Sequence, residues 1–142
     1  MAPYYGEAQV LFLVFGLNLL SIFFNGWICG KIFSYLCIRG FYPHMTITLT
    51  LLVIATVFTL IAGILQILCM VKRTERYLLI SRILTICAAI FAIASIFYLY
   101  DNVLNGIWSQ RISLLIAGMV LGISIYQLSN IFYVRLENRK TA

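Results

Sequence analysis

Acidic side chains are nearly missing from this chain. Among its 142 residues there are four, Glu7, Glu75, Asp101 and Glu137, against ten Lys and Arg, for a formal net charge of +6. Charged residues of both signs make up 10% of the sequence, where soluble domains carry about a quarter. Histidine occurs once, at His44, and proline twice. These shortages exclude several kinds of chemistry. No His, Cys, Asp and Glu residues stand at metal-ligand spacing, no glycine-rich phosphate loop is present, and no Ser-His-Asp set can be assembled. Proton-coupled transport and carboxylate-based membrane catalysis usually rely on an intramembrane acid, and all four acids read as lying at the edges of apolar blocks or in loops. The expectation is a protein that is not an enzyme, with no catalytic residues, no cofactor and no metal. An N-x-[ST] sequon is also missing, so N-glycosylation is not expected.

What the chain does have is apolar length. Hydrophobic residues are 63% of the total, and they come in blocks too long for a water-soluble core of this size to hide. Four blocks qualify as spans: 9–29, 46–70, 78–100 and 112–134. At 1.5 Å per residue each reaches about 31–37 Å, enough for a hydrocarbon layer of about 30 Å. Backbone in lipid must satisfy its own hydrogen bonds, so the blocks are expected to be helices. The start, MAPYYGEAQV, has no basic n-region and no small-residue cleavage site, which reads the first block as a retained span. Short connections, with no repeat or low-complexity tract, predict one tetraspan domain over 1–142: an all-α, four-helix up-down bundle.

Basic residues cluster at block ends. Lys72, Arg73, Arg76, Arg82, Arg135, Arg139 and Lys140 fall on the side that holds both termini, and Lys31, Arg39 and Arg111 on the other. Seven against three predicts cytosolic termini by the positive-inside rule. Without a basic stripe interleaved with stacking aromatics, nucleic acid is not an expected partner. Arg82 lies slightly inside the third block and reads as snorkelling to the headgroups. Trp27, Phe41, Tyr42, Tyr98, Tyr100, Trp108 and Tyr133 read as an interfacial aromatic belt, and His44 as a solvated loop residue.

The segment NLLSIFFNGWIC places Asn18, Ser21 and Asn25 at i, i+3 and i+7, one helical face. In lipid such a stripe should face other helices, with Thr56 and Thr59 or Gln127 and Asn130 as expected partners. Gly118 and Gly122 form a GxxxG, and Ala55, Thr59 and Gly63, with Ala88 and Ala92, repeat the small-residue spacing, so close helix packing is expected at all of them. Cys29 and Cys37 both fall on the outer side, where either a disulfide or two free thiols is open. Cys69 is a candidate palmitoylation site, and Cys87 reads as a small packing residue.

GWIC followed by Cys37 resembles the W…C…C signature of the claudin and peripheral myelin protein superfamily. The run LQILCMVKRTERYLLISRILTICAAIFAIASIFYLY also resembles that family's second span, basic turn and third span. The first outer loop is far shorter than the family's, so what the resemblance implies is the tetraspan layout and lateral association, without the extracellular sheet. Three functions are open. The first is a non-enzymatic auxiliary, assembly or scaffold subunit packing against a larger membrane complex or a second copy, through faces bearing Phe23, Phe24, Phe91, Phe97 and Phe132. The second is a small transporter or channel lined by Asn18, Ser21, Asn25, Gln66 and Gln127. The third is a membrane enzyme resembling the glutathione-dependent MAPEG proteins in size and span count. The plasma membrane is the expected location, followed by the endomembrane system.

Overall fold

The computed structural model describes residues 3–24, 27, 29–40, 42–72, 75–102 and 108–140. Five helices account for nearly all of them: α1 (Pro3–Phe23), α2 (Tyr35–Gly40), α3 (His44–Lys72), α4 (Glu75–Asn102) and α5 (Trp108–Lys140). Four of these are long and apolar enough to cross a membrane. Their ends carry ordinary signals. Pro3 opens α1, at the position where a missing N–H costs nothing. Ser34 caps α2, its Oγ accepting from the Cys37 N–H at 3.2 Å. Lys72 sits in the last turn of α3 and Glu75 in the first turn of α4, each at the helix pole that favours its charge.

The long helices form a ring. α1 packs on α3 and α5, and α4 packs on the same two, most extensively on α3. Hydrogen bonds between helices join Glu7 to Gln66 and Gln127, Ser21 to Ser113, Ser95 to the Thr48 carbonyl and Ser81 to the Ala62 carbonyl. The interior is built of small side chains. Ser81, Thr85, Ala88, Ala92, Ser95 and Leu99 alternate at spacings of four and three along α4, and all are buried. Val14, Ala88, Ala89, Ile116 and Val120 fill the middle. Gly63 is buried against α1, where an added Cβ would make an ordinary contact with the Phe12 ring at 3.4 Å.

The first span differs from its expected 9–29. It starts at Pro3 and stops at Phe23, because the segment beyond folds back as a cap. Trp27 donates its indole N–H to the Ser21 carbonyl at 2.9 Å, and Cys29 is joined by a disulfide to Cys37 on α2. The turn is closed by mutual backbone hydrogen bonds between Trp27 and Gly30, and Gly30 takes φ 87°, which suits glycine. Trp27 is thus 4% exposed, clustered with Ile22, Ile32, Cys37, Met45, Leu52 and Leu99, and does not serve as a rim aromatic. His44 is likewise no free loop residue: it opens α3, with Nδ1 3.0 Å from the Tyr98 hydroxyl.

Enlarging the packed seam should cost more than enlarging the outer face. Ala88→Leu is expected to destabilise by about 1–3 kcal/mol through overpacking. Gly118→Leu, where an added Cβ has nothing within 4 Å, should stay within about 0.5 kcal/mol. Thermal unfolding of the purified protein in detergent measures both.

Candidate functional site

A carboxylate lies inside the helices. Glu7 is in the second turn of α1, beyond the expected boundary at residue 9, because α1 runs up to Pro3. Its side chain is 6% exposed. Glu7 is the second residue of the apolar segment Gly6–Phe23, an edge position as expected, but it is buried and not in a loop. Two amides converge on it. Gln66 of α3 donates from Nε2 to Glu7 Oε2 at 3.1 Å, and Gln127 of α5 donates from Nε2 to the same oxygen at 3.0 Å. Gln66 is 2% exposed and Gln127 fully buried.

Three helices therefore meet at one carboxylate oxygen. The second oxygen, Glu7 Oε1, is buried and unpartnered, and so are the amide oxygens Gln66 Oε1 and Gln127 Oε1. Among the described residues no Lys or Arg pairs with Glu7. Arg82 is half-buried on α4 with its own Nε unpartnered. Beside the cluster, Gly6, Glu7, Val10, Gly122, Ile123 and Tyr126 line a groove of about 340 Å³ between α1 and α5. A Cβ added at Gly6 or Gly122 would meet nothing within 4 Å.

The remaining sequence candidates separate into groups. Asn18 and Ser21 are buried, and Asn25 lies outside the described residues. The Ser21 hydroxyl pairs with that of Ser113 at 2.8 Å. Thr56 and Thr59 bond their own helix, to the carbonyls of Leu52 and Thr56, and Gln127 is engaged by Glu7, while Asn130 is half-buried. Ala55, Thr59, Gly63, Ala88 and Ala92 lie in the packed interior, whereas Gly118 and Gly122 face outward. Cys69 and Cys87 are free and half-buried. Lys72, Arg76, Arg135 and Arg139 are exposed; Arg73, Gly26, Phe41 and the side chains of Trp108 and Lys140 lie outside the described residues.

No family model, curated protein or solved structure matches this chain. The site thus stands on its own chemistry. It offers one formal negative charge, two fixed amides and three oxygens with lone pairs to spare, in surroundings otherwise apolar. Ser81, Thr85, Ser95 and Ser124 are polar contacts that the sequence reading did not single out: Ser81 reaches the Ala62 carbonyl at 2.9 Å, Ser95 the Thr48 carbonyl at 3.2 Å. For Ser81, Thr85 and Ser95 the spacing shared with Ala88 and Ala92 along α4 was the available signal.

Two measurements follow. Gln127→Leu and Glu7→Ala should each destabilise by about 1–3 kcal/mol, because each removes one partner of a buried polar group. The double variant should cost clearly less than the sum, since both act on one network. Alkylation of the unfolded, unreduced protein should label Cys69 and Cys87 alone, and all four cysteines once reductant is added; mass spectrometry reads the count.

Proposed function

We propose that the chain is a non-enzymatic integral membrane protein that works by lateral association, as an auxiliary or assembly subunit of a larger membrane complex or as a homo-oligomer. Its arrangement in this reading is the up-down bundle with both termini cytosolic, supported by the excess of Lys and Arg on that side. The resemblance to claudin-like proteins adds support for lateral contact and for the plasma membrane as location.

One observation carries the reading: Gly118 and Gly122 stand exposed on α5, each with open space where a side chain would be. Helices lacking side chains at such a pair approach one another closely and gain packing that lipid tails do not supply. Next to Gly118 runs an apolar groove of about 660 Å³, lined by Ile93, Ile96, Phe97, Tyr100, Leu114, Ala117 and Leu121. α5 thus presents a smooth strip beside a furrow, the shape a further transmembrane helix fits.

Paired substitution tests this. Gly118→Ile with Gly122→Ile should abolish at least about 90% of the partner or second copy recovered after gentle-detergent purification and crosslinking, while leaving the thermal stability of the isolated chain within about 0.5 kcal/mol. Undiminished recovery would refute association through this strip. The cluster around Glu7 favours a second reading, a small transporter, since intramembrane ionisable residues mark substrate and ion pathways. Flux into proteoliposomes is its measurement.

A further inference from the structure

The geometry points to an alkali-cation binding site at the junction of α1, α3 and α5, with Glu7 Oε1, Gln66 Oε1 and Gln127 Oε1 as ligands. All three oxygens are buried and unpartnered, on side chains that are 94% or more buried. Native interiors leave few such atoms without a partner. Here three of them share one cluster, because each glutamine is already tied to Glu7 through its other amide atom.

The chemistry of the set selects the ligand. The atoms left without any partner are all oxygen acceptors, while each amide nitrogen donates one of its two N–H groups to Glu7 Oε2. An anion would be repelled by the carboxylate. Carboxylate and carbonyl oxygens are the ligands of hard cations. Charge sets the valence. The cluster supplies one negative charge, and among the described residues no Lys or Arg pairs with it. A monovalent ion brings the site to neutrality, whereas a divalent ion would leave an uncompensated positive charge in apolar surroundings, at heavy desolvation cost.

Fixity and access both suit a bound ion. The three ligands come from three helices, so an ion ties together the ring contacts that α1 makes with α3 and α5. The groove between α1 and α5 reaches Glu7 and is lined by two glycines, Gly6 and Gly122. Glu7 lies just over one turn from the start of α1, so the ion is not carried across the whole apolar thickness. The site rests on neither functional reading above. A bound ion is as compatible with a structural role in an associating subunit as with transport.

The test uses the whole chain purified in detergent and exchanged into choline chloride. Sodium or potassium chloride replaces choline at constant ionic strength and pH, and thermal unfolding is followed by tryptophan fluorescence. The expected result is a saturable rise in Tm of about 3–8 °C with at least one of the two ions, with about one radioactive sodium or potassium ion bound per chain. Glu7→Gln, which keeps the shape and removes the charge, should abolish the rise. Gln66→Leu and Gln127→Leu should move the midpoint to at least about tenfold higher ion concentration, a change equivalent to 1.4 kcal/mol. Equal stability in sodium, potassium and choline overturns the proposal. So does an unchanged rise in Glu7→Gln, a stronger effect of magnesium or calcium, or a stability that follows pH with no dependence on the cation. Should Glu7→Gln fail to fold, the wild-type titration and the ion stoichiometry decide alone.

Discussion

Hydrocarbon supplies no hydrogen-bond partner, and that constraint shapes this chain more than any other. It makes the four apolar blocks helices, since only a helix satisfies its backbone within one segment. It also turns the polar side chains inward. Ser21 pairs with Ser113, Ser81 and Ser95 reach carbonyls of α3, and Thr56, Thr85 and Ser124 bond back onto their own helices. None of these contacts is strong, at about 0.6–2 kcal/mol each. Together with the small side chains beside them they fix which face of each helix is inside, a choice that hydrophobicity cannot make when both faces are apolar.

The spans were legible in the sequence because they depend on length and composition. α3 and α4 lie within a few residues of their expected ends, at His44–Lys72 and Glu75–Asn102. The first span was less legible, and the reason is particular. Trp27 and Cys29 are apolar enough to extend a hydropathy block, but their contacts are with Ser21 and Cys37, which draw them out of the helix. At the other end Glu7 was legible as an edge residue, but its burial was not. A single acid two residues before an apolar block looks like a boundary marker. Only the meeting of three helices brings Gln66 and Gln127 to it, 59 and 120 residues away in sequence. Both glutamines were noticeable one by one as polar residues in spans; the shared partner was not, because pairing across helices leaves no local pattern.

The small-residue motifs carry the opposite lesson. Ala55, Thr59 and Gly63 and the GxxxG of Gly118 and Gly122 look alike in sequence, yet the first set is buried and the second exposed. Spacing identifies a smooth helix face and does not say what lies against it. Within the ring α5 is occupied by α1 and α4 on its inner side, through Ser113, Ile116, Ala117, Val120, Ser124 and Gln127, all buried. Gly118 and Gly122 fall on the opposite side of that stripe, and the same heptad geometry that packs one face leaves the other smooth.

The position of Arg82 sharpens what the Glu7 cluster is. A buried acid with a buried arginine beside it would be an ion pair, a structural device that needs nothing further. The two groups sit on α1 and α4, which share α3 and α5 as neighbours and stand across the ring from each other. Each retains an unpartnered atom, Oε1 on Glu7 and Nε on Arg82. Arg82 has a long stem and can carry its charge toward the headgroups. Glu7 has no such freedom, because two amides hold one of its oxygens at 3.0 and 3.1 Å. A short, tethered carboxylate cannot move to meet its counter-charge, so compensation has to come to it.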